Sequence, residues 1–266
     1  MDLAGLYKIY KDCTCVCTDS RTVQPGSLFF ALKGDKFDGN LFVSDALAKG
    51  AIYAVADKKS CPPGDKIILT DDVLKVLQQL ANFHRKESEI KILAITGSNG
   101  KTTTKELCTK VLGTKYKIFA TQGNLNNHIG VPLTLLAMPP GTEFGIIEMG
   151  ANHPGEIQAL CEIAEPDYGL ITNIGKAHLE GFKSIEGVCQ AKGELFNYLT
   201  KNDGIIFANM GNTYIRRLVP ETTPNIVEYN KNDTICAEIT QSTMFLEMLV
   251  HDHDRVYQLK TKLFGK

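Results

Sequence analysis

The chain has 266 residues, 43% of them hydrophobic and 22% charged, an ordinary globular composition long enough for two domains with separate cores. Lys and Arg number 29 against 30 Asp and Glu, a net charge of −1, and the basic residues are scattered rather than striped, which argues against a nucleic-acid partner. No apolar run reaches the length of a membrane span, and the opening MDLAGLYKIYKD lacks a signal-peptide core, so a cytoplasmic chain with no membrane partner is expected. Its eight cysteines are then expected to be reduced thiols. Cys13, Cys15 and Cys17 alternate along a predicted strand, a spacing unlike the paired cysteines of zinc sites.

Residues 1–88 read as a small α/β domain. Short apolar runs at Leu28–Ala31, Ala51–Val55 and Lys66–Leu69 predict strands, with Pro25-Gly26 and Pro62-Pro63-Gly64 as turns. A helix is predicted from Asp72, because Val73, Val76, Leu77, Leu80 and Phe83 share one face and Asp71 or Asp72 can cap its start. The charged run Arg85–Glu89 is predicted to link this domain to a second one over 89–266. There, strands at Ile92–Thr96, Lys117–Thr121, Phe144–Met149, Tyr168–Asn173 and Gly204–Ala208 alternate with helical segments. That alternation predicts a mainly parallel sheet flanked by helices. The stretch from Ile226 to Leu263 is predicted to end the domain in antiparallel strands. Within it, His251-Asp252-His253-Asp254 reads as a polar hairpin turn rather than metal-ligand material.

The strongest chemical signal is Thr96-Gly97-Ser98-Asn99-Gly100-Lys101-Thr102-Thr103-Thr104, between an apolar strand and a helix bearing Leu107, Val111 and Leu112. Glycines let backbone N–H groups turn toward phosphate oxygens, and a helix N-terminus favours an anion. Lys101 would then reach the β- and γ-phosphates and the Thr102 hydroxyl would sit on Mg²⁺. Ile95 stands where the full P-loop pattern has a glycine, so this is a shortened version. The competing reading is a glycine-rich strand–helix turn with no ligand.

Glu148 ends an apolar strand, where a carboxylate of a parallel sheet lies in the ligand crevice and can hold Mg²⁺. A solvated strand-end acid is the equal alternative. His178 follows another strand end, and alone reads as a solvated loop histidine. Lys192 falls near the centre of a helix stripe made by Ile185, Val188, Cys189, Leu195, Phe196 and Leu199. Three readings compete there: a snorkelling stem, a salt bridge, or a lysine of depressed pKa able to take up CO₂ as a carbamate.

Four ordered segments resemble the Mur ligase family over nearly the whole chain: Thr96–Lys105; Gly123–Pro132 (GNLNNHIGVP); Glu148–Ile157 (EMGANHPGEI); and Ala177–Phe182 (AHLEGF) with Ala191–Glu194 (AKGE). The shortened P-loop is that family's usual form. The NLNN and GANHPGEI segments resemble its MurF branch, and Thr18–Arg21, Phe30–Gly34 and Asp38-Gly39 resemble the family's uridine-diphosphate-binding region. The family commonly has His after that Asp-Gly, where this chain has Asn40.

The resemblance implies an ATP- and Mg²⁺-dependent ligase, acting as a monomer, that joins D-alanyl-D-alanine to UDP-N-acetylmuramoyl-tripeptide through an acyl phosphate. It implies that Gly97, Ser98, Asn99, Gly100, Lys101, Thr102 and Thr103 bind the nucleotide. Thr102 and Glu148 would hold one Mg²⁺, while His178 and a carbamylated Lys192 would hold a second. Ser20, Arg21, Lys33, Asn124, Asn126 and Asn127 would bind substrate. It also implies a third domain that closes over ATP; the chain is expected to lack it and to turn over poorly. The alternatives are a binding-only module for nucleotide or UDP-sugar, and a sister Mur ligase or folylpolyglutamate synthase with another acceptor.

Overall fold

The structure is a computed structural model describing residues 2–175, 182–230, 235–242 and 245–262. Its chain partitions into two compact units. The first gathers Met1–Ile92, Lys105–Gly150 and Ala159–Glu165, and the second gathers Leu93–Thr104, Ala151–Gln158 and Pro166–Lys266.

In the first unit, α1 (Leu3–Asp12) is capped by the Asp2 carboxylate, which accepts from the Gly5 N–H. Strands β1 (Val16–Cys17), β2 (Leu28–Phe30), β5 (Tyr53–Asp57) and β6 (Ile67–Thr70) form a parallel sheet in the order β1-β2-β5-β6. All three residues of β2 are buried, as expected of a parallel strand covered on both faces. A short antiparallel pair, β3 (Lys33–Gly34) with β4 (Phe37–Asp38), follows β2 and leads toward α2 (Val43–Ala48). Helix α3 (Val73–Ser88) starts at Asp72, whose carboxylate accepts from the Lys75 N–H, and buries Val73, Leu77, Leu80 and Ala81.

Two local expectations are corrected here. Cys13 is not in a strand: it closes α1, its N–H donating to the Tyr10 carbonyl, so the alternation of Cys13, Cys15 and Cys17 is not a β pattern. The helix capped at Asp2 runs to Asp12, so Cys13 is spent on closing it. Residues Arg85–Ser88 are the last turn of α3 rather than a linker. Basic side chains suit a helix C-terminus, and the Arg85 guanidinium donates to the Ala164 and Glu165 carbonyls at 3.1 and 3.0 Å. The helix stops at Glu89, whose left-handed backbone (φ 53°) ends it.

A six-stranded sheet runs in the order β12-β11-β10-β7-β9-β8, from β7 (Lys91–Thr96), β8 (Ile118–Ala120), β9 (Phe144–Glu148), β10 (Tyr168–Ile171), β11 (Ile205–Asn209) and β12 (Ile226–Tyr229). Its helices are α4 (Lys101–Leu112), α5 (Gly130–Leu136), α6 (Glu156–Ala164), α7 (Ile185–Lys201) and α8 (Thr213–Leu218). β12 was expected to be antiparallel but pairs parallel with β11, because α8 lies between the two strands and returns the chain in the same direction. The antiparallel part is β13 (Cys236–Gln241), β14 (Glu247–Asp252) and β15 (Arg255–Lys260). His253 and Asp254 make the turn between the last two, with His253 at φ 53°. All eight cysteines are free thiols. No helix among the described residues is long and apolar enough to cross a membrane.

Replacing Asp72 by Ala removes the only cap seen at the start of α3 and is expected to cost about 1 kcal/mol of stability. Urea unfolding followed by circular dichroism checks this; a midpoint equal to that of the parent chain would refute it.

Candidate functional site

In the second unit the turn after β7 is fixed by close approach. Gly97 has φ +144°, and a Cβ built there would fall 2.0 Å from Thr172 Oγ1 and 3.1 Å from the Thr172 N, so any other residue would be strained and would have to displace Thr172. The Ser98 hydroxyl donates to the Gly175 carbonyl (3.1 Å) and accepts from the Gly175 N–H (2.9 Å). The Asn99 N–H donates to Asn173 Oδ1 (3.0 Å), and its carbonyl accepts from Thr172 Oγ1 (2.6 Å) and Asn173 Nδ2 (3.0 Å). The segment after β10 therefore holds the turn in shape. Gly100, at φ +76°, meets nothing within 4 Å of a built Cβ, leaving its outer side open.

Lys101 opens α4 and folds its ammonium back to the Gly97 carbonyl at 2.8 Å. Thr102 and Thr103, both exposed, complete the first helical turn. N–H groups of a first turn have no acceptor within their own helix, and together with the Lys101 ammonium they suit an anionic phosphate. The donor set fits a nucleotide phosphate.

Lys192, on α7 in the same unit, is only 2% exposed, with Val188, Leu195, Phe196 and Leu199 fully buried along the same helix. Its ammonium lies 5.6 Å from the Phe182 ring centroid. Burial, then repulsion by Lys101, lowers its pKa from 10.5 to about 8, against the opposing pull of Glu156 and Glu194. About a tenth of the amine is then neutral at pH 7, which makes it a usable nucleophile. The snorkelling alternative is excluded by this burial.

Neither glutamate was singled out by the sequence reasoning, and both act on the surroundings of Lys192. Glu194 accepts from the Gly155 and Gln158 N–H groups at 2.6 and 2.9 Å and so caps the start of α6. Glu156 accepts from the Asn152 and His153 N–H groups at 2.6 and 3.1 Å. A usable signal existed for Glu156, in the first turn of a helix after Pro-Gly; Glu194 shows its role only through the fold.

In the first unit Glu148 ends β9 and is 2% exposed, which removes the solvated reading. Its Oε1 accepts from Asn126 Nδ2 at 2.8 Å and its N–H donates to Thr121 Oγ1 at 3.0 Å. Of the three asparagines, Asn126 bonds that carboxylate. Asn124 lends only a carbonyl to the Asn126 N–H, and Asn127 accepts from the Ile129 and Gly130 N–H groups as a turn cap. A carboxylate and a threonine hydroxyl are hard oxygen donors, the chemistry Mg²⁺ requires. Thr102 belongs to the second unit and Glu148 to the first.

Around the N-terminal sheet, Ser20 is nearly buried and its carbonyl accepts from Lys49 Nζ at 3.0 Å. Arg21 is 85% exposed, its guanidinium bidentate on Asp19, which holds that carboxyl down at about 2. Lys33 pairs with Asp38 at 3.2 Å across β3 and β4. Asn40 is a buried latch: its amide donates to Asp38 at 2.6 Å and its Oδ1 accepts from the Asp57 N–H at 2.8 Å. His178 lies outside the described residues.

Two family descriptions match the chain: "Mur ligase middle domain" over residues 95–266 and "Mur ligase family, catalytic domain" over residues 12–85. The chain is 46% identical over 193 residues to the UDP-N-acetylmuramoyl-tripeptide–D-alanyl-D-alanine ligase of Bacillus subtilis (strain 168), covering 72% of this chain and 42% of that one. Its fold is similar to MurF from Acinetobacter baumannii, with a TM-score of 0.86 at 28% identity over 99% of this chain and 61% of that one. It is likewise similar to the MurF ligase from Thermotoga maritima in complex with ADP, with a TM-score of 0.84 at 30% identity over 94% of this chain and 58% of that one. The chain spans about half the length of the curated relatives it matches.

Gly97→Ala is expected to destabilise the second unit or abolish ADP binding, since both its φ and its space exclude a Cβ. Calorimetric ADP binding and a melting temperature both equal to the parent's would refute this. For Lys192 the sign follows from the proton count. Between about 8 and 10.5 the folded chain binds fewer protons than the unfolded one, so stability rises with pH across that window. Lys192→Met removes this slope. In CO₂-free buffer the variant's stability advantage should be largest below pH 8 and shrink toward pH 10.5; a pH-independent difference in urea midpoint would contradict it.

Proposed function

The chain belongs to the Mur ligase family, and on that premise we propose that it carries the substrate- and ATP-binding parts of a ligase for peptidoglycan precursors. The reaction is ATP-dependent joining of D-alanyl-D-alanine to UDP-N-acetylmuramoyl-tripeptide. Residues 1–88 form the UDP-substrate domain and residues 89–266 the ATP domain of a cytoplasmic monomer. The observation that supports this best is Lys101 at the head of a glycine turn suited to phosphate, in the same unit as a buried Lys192 whose pKa is lowered first by burial and then by Lys101.

In this reading the tripeptide's terminal carboxylate oxygen attacks the γ-phosphorus of ATP, and ADP leaves. The dipeptide amine then attacks the carbonyl carbon of the acyl phosphate. Phosphate departs with the bonding electrons, and the amine nitrogen loses a proton. Lys101 and the N–H groups around Gly100 to Thr103 hold the phosphates and meet the charge that develops as the phosphoryl group moves. Mg²⁺, when bound, supplies charge neutralisation between an anionic acid and a triphosphate. In the roles the family resemblance implies, Thr102 and Glu148 would offer oxygen ligands to one Mg²⁺, and the His178 imidazole with a carbamylated Lys192 would serve a second. For Lys192 this means attack of its neutral amine on CO₂ with loss of one proton, giving a carbamate whose oxygens would suit that second metal. Ser20, Arg21 and Lys33 serve the uridine-diphosphate end of the substrate.

ADP release that requires both UDP-N-acetylmuramoyl-tripeptide and D-alanyl-D-alanine is the expected result. ATP turnover indifferent to both would defeat the reading. Lys192→Ala should lose this activity and recover part of it with added short carboxylic acids; normal activity in the variant would dismiss the carbamate.

A further inference from the structure

Helix α4 inverts the usual pattern of burial. Leu107 is 41% exposed and Val111 67%, yet Lys105 is 2% exposed and is the residue of this helix that is buried. Removing an ammonium from water is costly unless it is paired and hydrogen-bonded, so what Lys105 touches explains why it is inside. Its Nζ donates to the Thr121 carbonyl at 2.6 Å and lies 3.0 Å from Glu106 Oε1.

Thr121 is the hinge point of this arrangement. It is fully buried just past β8, and its N–H donates to the Ile146 carbonyl at 3.0 Å. Its hydroxyl, 3.4 Å from the same carbonyl, accepts from the Glu148 N–H at 3.0 Å. Lys105 thus fixes the carbonyl of the residue whose hydroxyl fixes the Glu148 backbone, and Asn126 fixes the carboxylate from the other side. Without the ammonium the Thr121 carbonyl would lose a charged donor in a buried place, where an unmade bond is most costly.

We propose that Lys105 is a positioning residue for Glu148, acting through Thr121 to hold the carboxylate in the orientation that receives a divalent cation. The inference rests on the preceding reading of Glu148 as a metal ligand. Groups behind a metal ligand commonly matter to affinity nearly as much as the ligand itself.

The test uses Mn²⁺ as a paramagnetic probe, titrated into the whole chain with saturating ADP and read by electron paramagnetic resonance. Lys105→Met and Thr121→Val should each weaken Mn²⁺ roughly 10-fold, while Thr121→Ser, which keeps the hydroxyl, binds close to the parent and metal-free ADP affinity is unchanged. A merely structural lysine would lower the melting temperature without moving Mn²⁺ affinity below it. If Glu148→Gln loses Mn²⁺ while Lys105→Met and Thr121→Val bind it like the parent, the positioning role is overturned and the ligand reading survives. If Glu148→Gln itself binds like the parent, the ligand reading falls and takes this proposal with it. Should Lys105→Met fail to fold, equal Mn²⁺ affinity in Thr121→Val and Thr121→Ser would overturn the role by itself.

Discussion

Where β7 gives way to α4, the backbone at Gly97 passes so close to Thr172 that no side chain can stand between them. This contact fixes where the glycine turn ends, and therefore where the first N–H groups of α4 point. The bonds from Asn99 and Ser98 to residues 172–175 extend the same constraint along the turn. A phosphate site built this way needs little ordering on binding, because the loop's conformational entropy has already been lost in folding.

Against that frame three ionisable side chains, Lys105, Glu148 and Lys192, are buried to the same 2% exposure and behave differently. Lys105 has a carbonyl and a carboxylate within reach of its Nζ. Glu148 has an amide donor on one oxygen and a backbone N–H held by the Thr121 hydroxyl. Lys192 faces an aromatic ring with another lysine's field on it, and its pKa falls to about 8. Depth of burial is common to all three. What differs is the partner set around each.

The alternation of strands and helices was legible because parallel strands buried on both faces read as short apolar runs, as at β2, β7 and β9. The glycine turn was legible because its constraint is local. Less of the rest was local. β12 reads like any short apolar strand, and only the crossover through α8 makes it parallel. The run Arg85–Glu89 looked like a linker, yet carbonyls more than seventy residues away in sequence give Arg85 acceptors that keep it helical. Helix periodicity put Lys192 inside, but nothing in the pattern named Glu156 or Glu194 as the acids that oppose its loss of charge. Lys105 is the converse case: the same periodicity favours Leu107 and Val111 as the buried face of α4, and the fold reverses it.

That reversal bears on how a buried lysine should be read in a sequence. Lys105 and Lys192 each occur in a Lys-Glu or Lys-Gly-Glu run, and composition alone gives them the same environment. They part because of geometry one or two bonds away. Glu106 adjoins the Lys105 ammonium directly, whereas the Glu194 carboxylate is engaged by the Gly155 and Gln158 N–H groups. Glu194 thus caps α6 and at the same time opposes the loss of charge at Lys192 that burial and Lys101 favour.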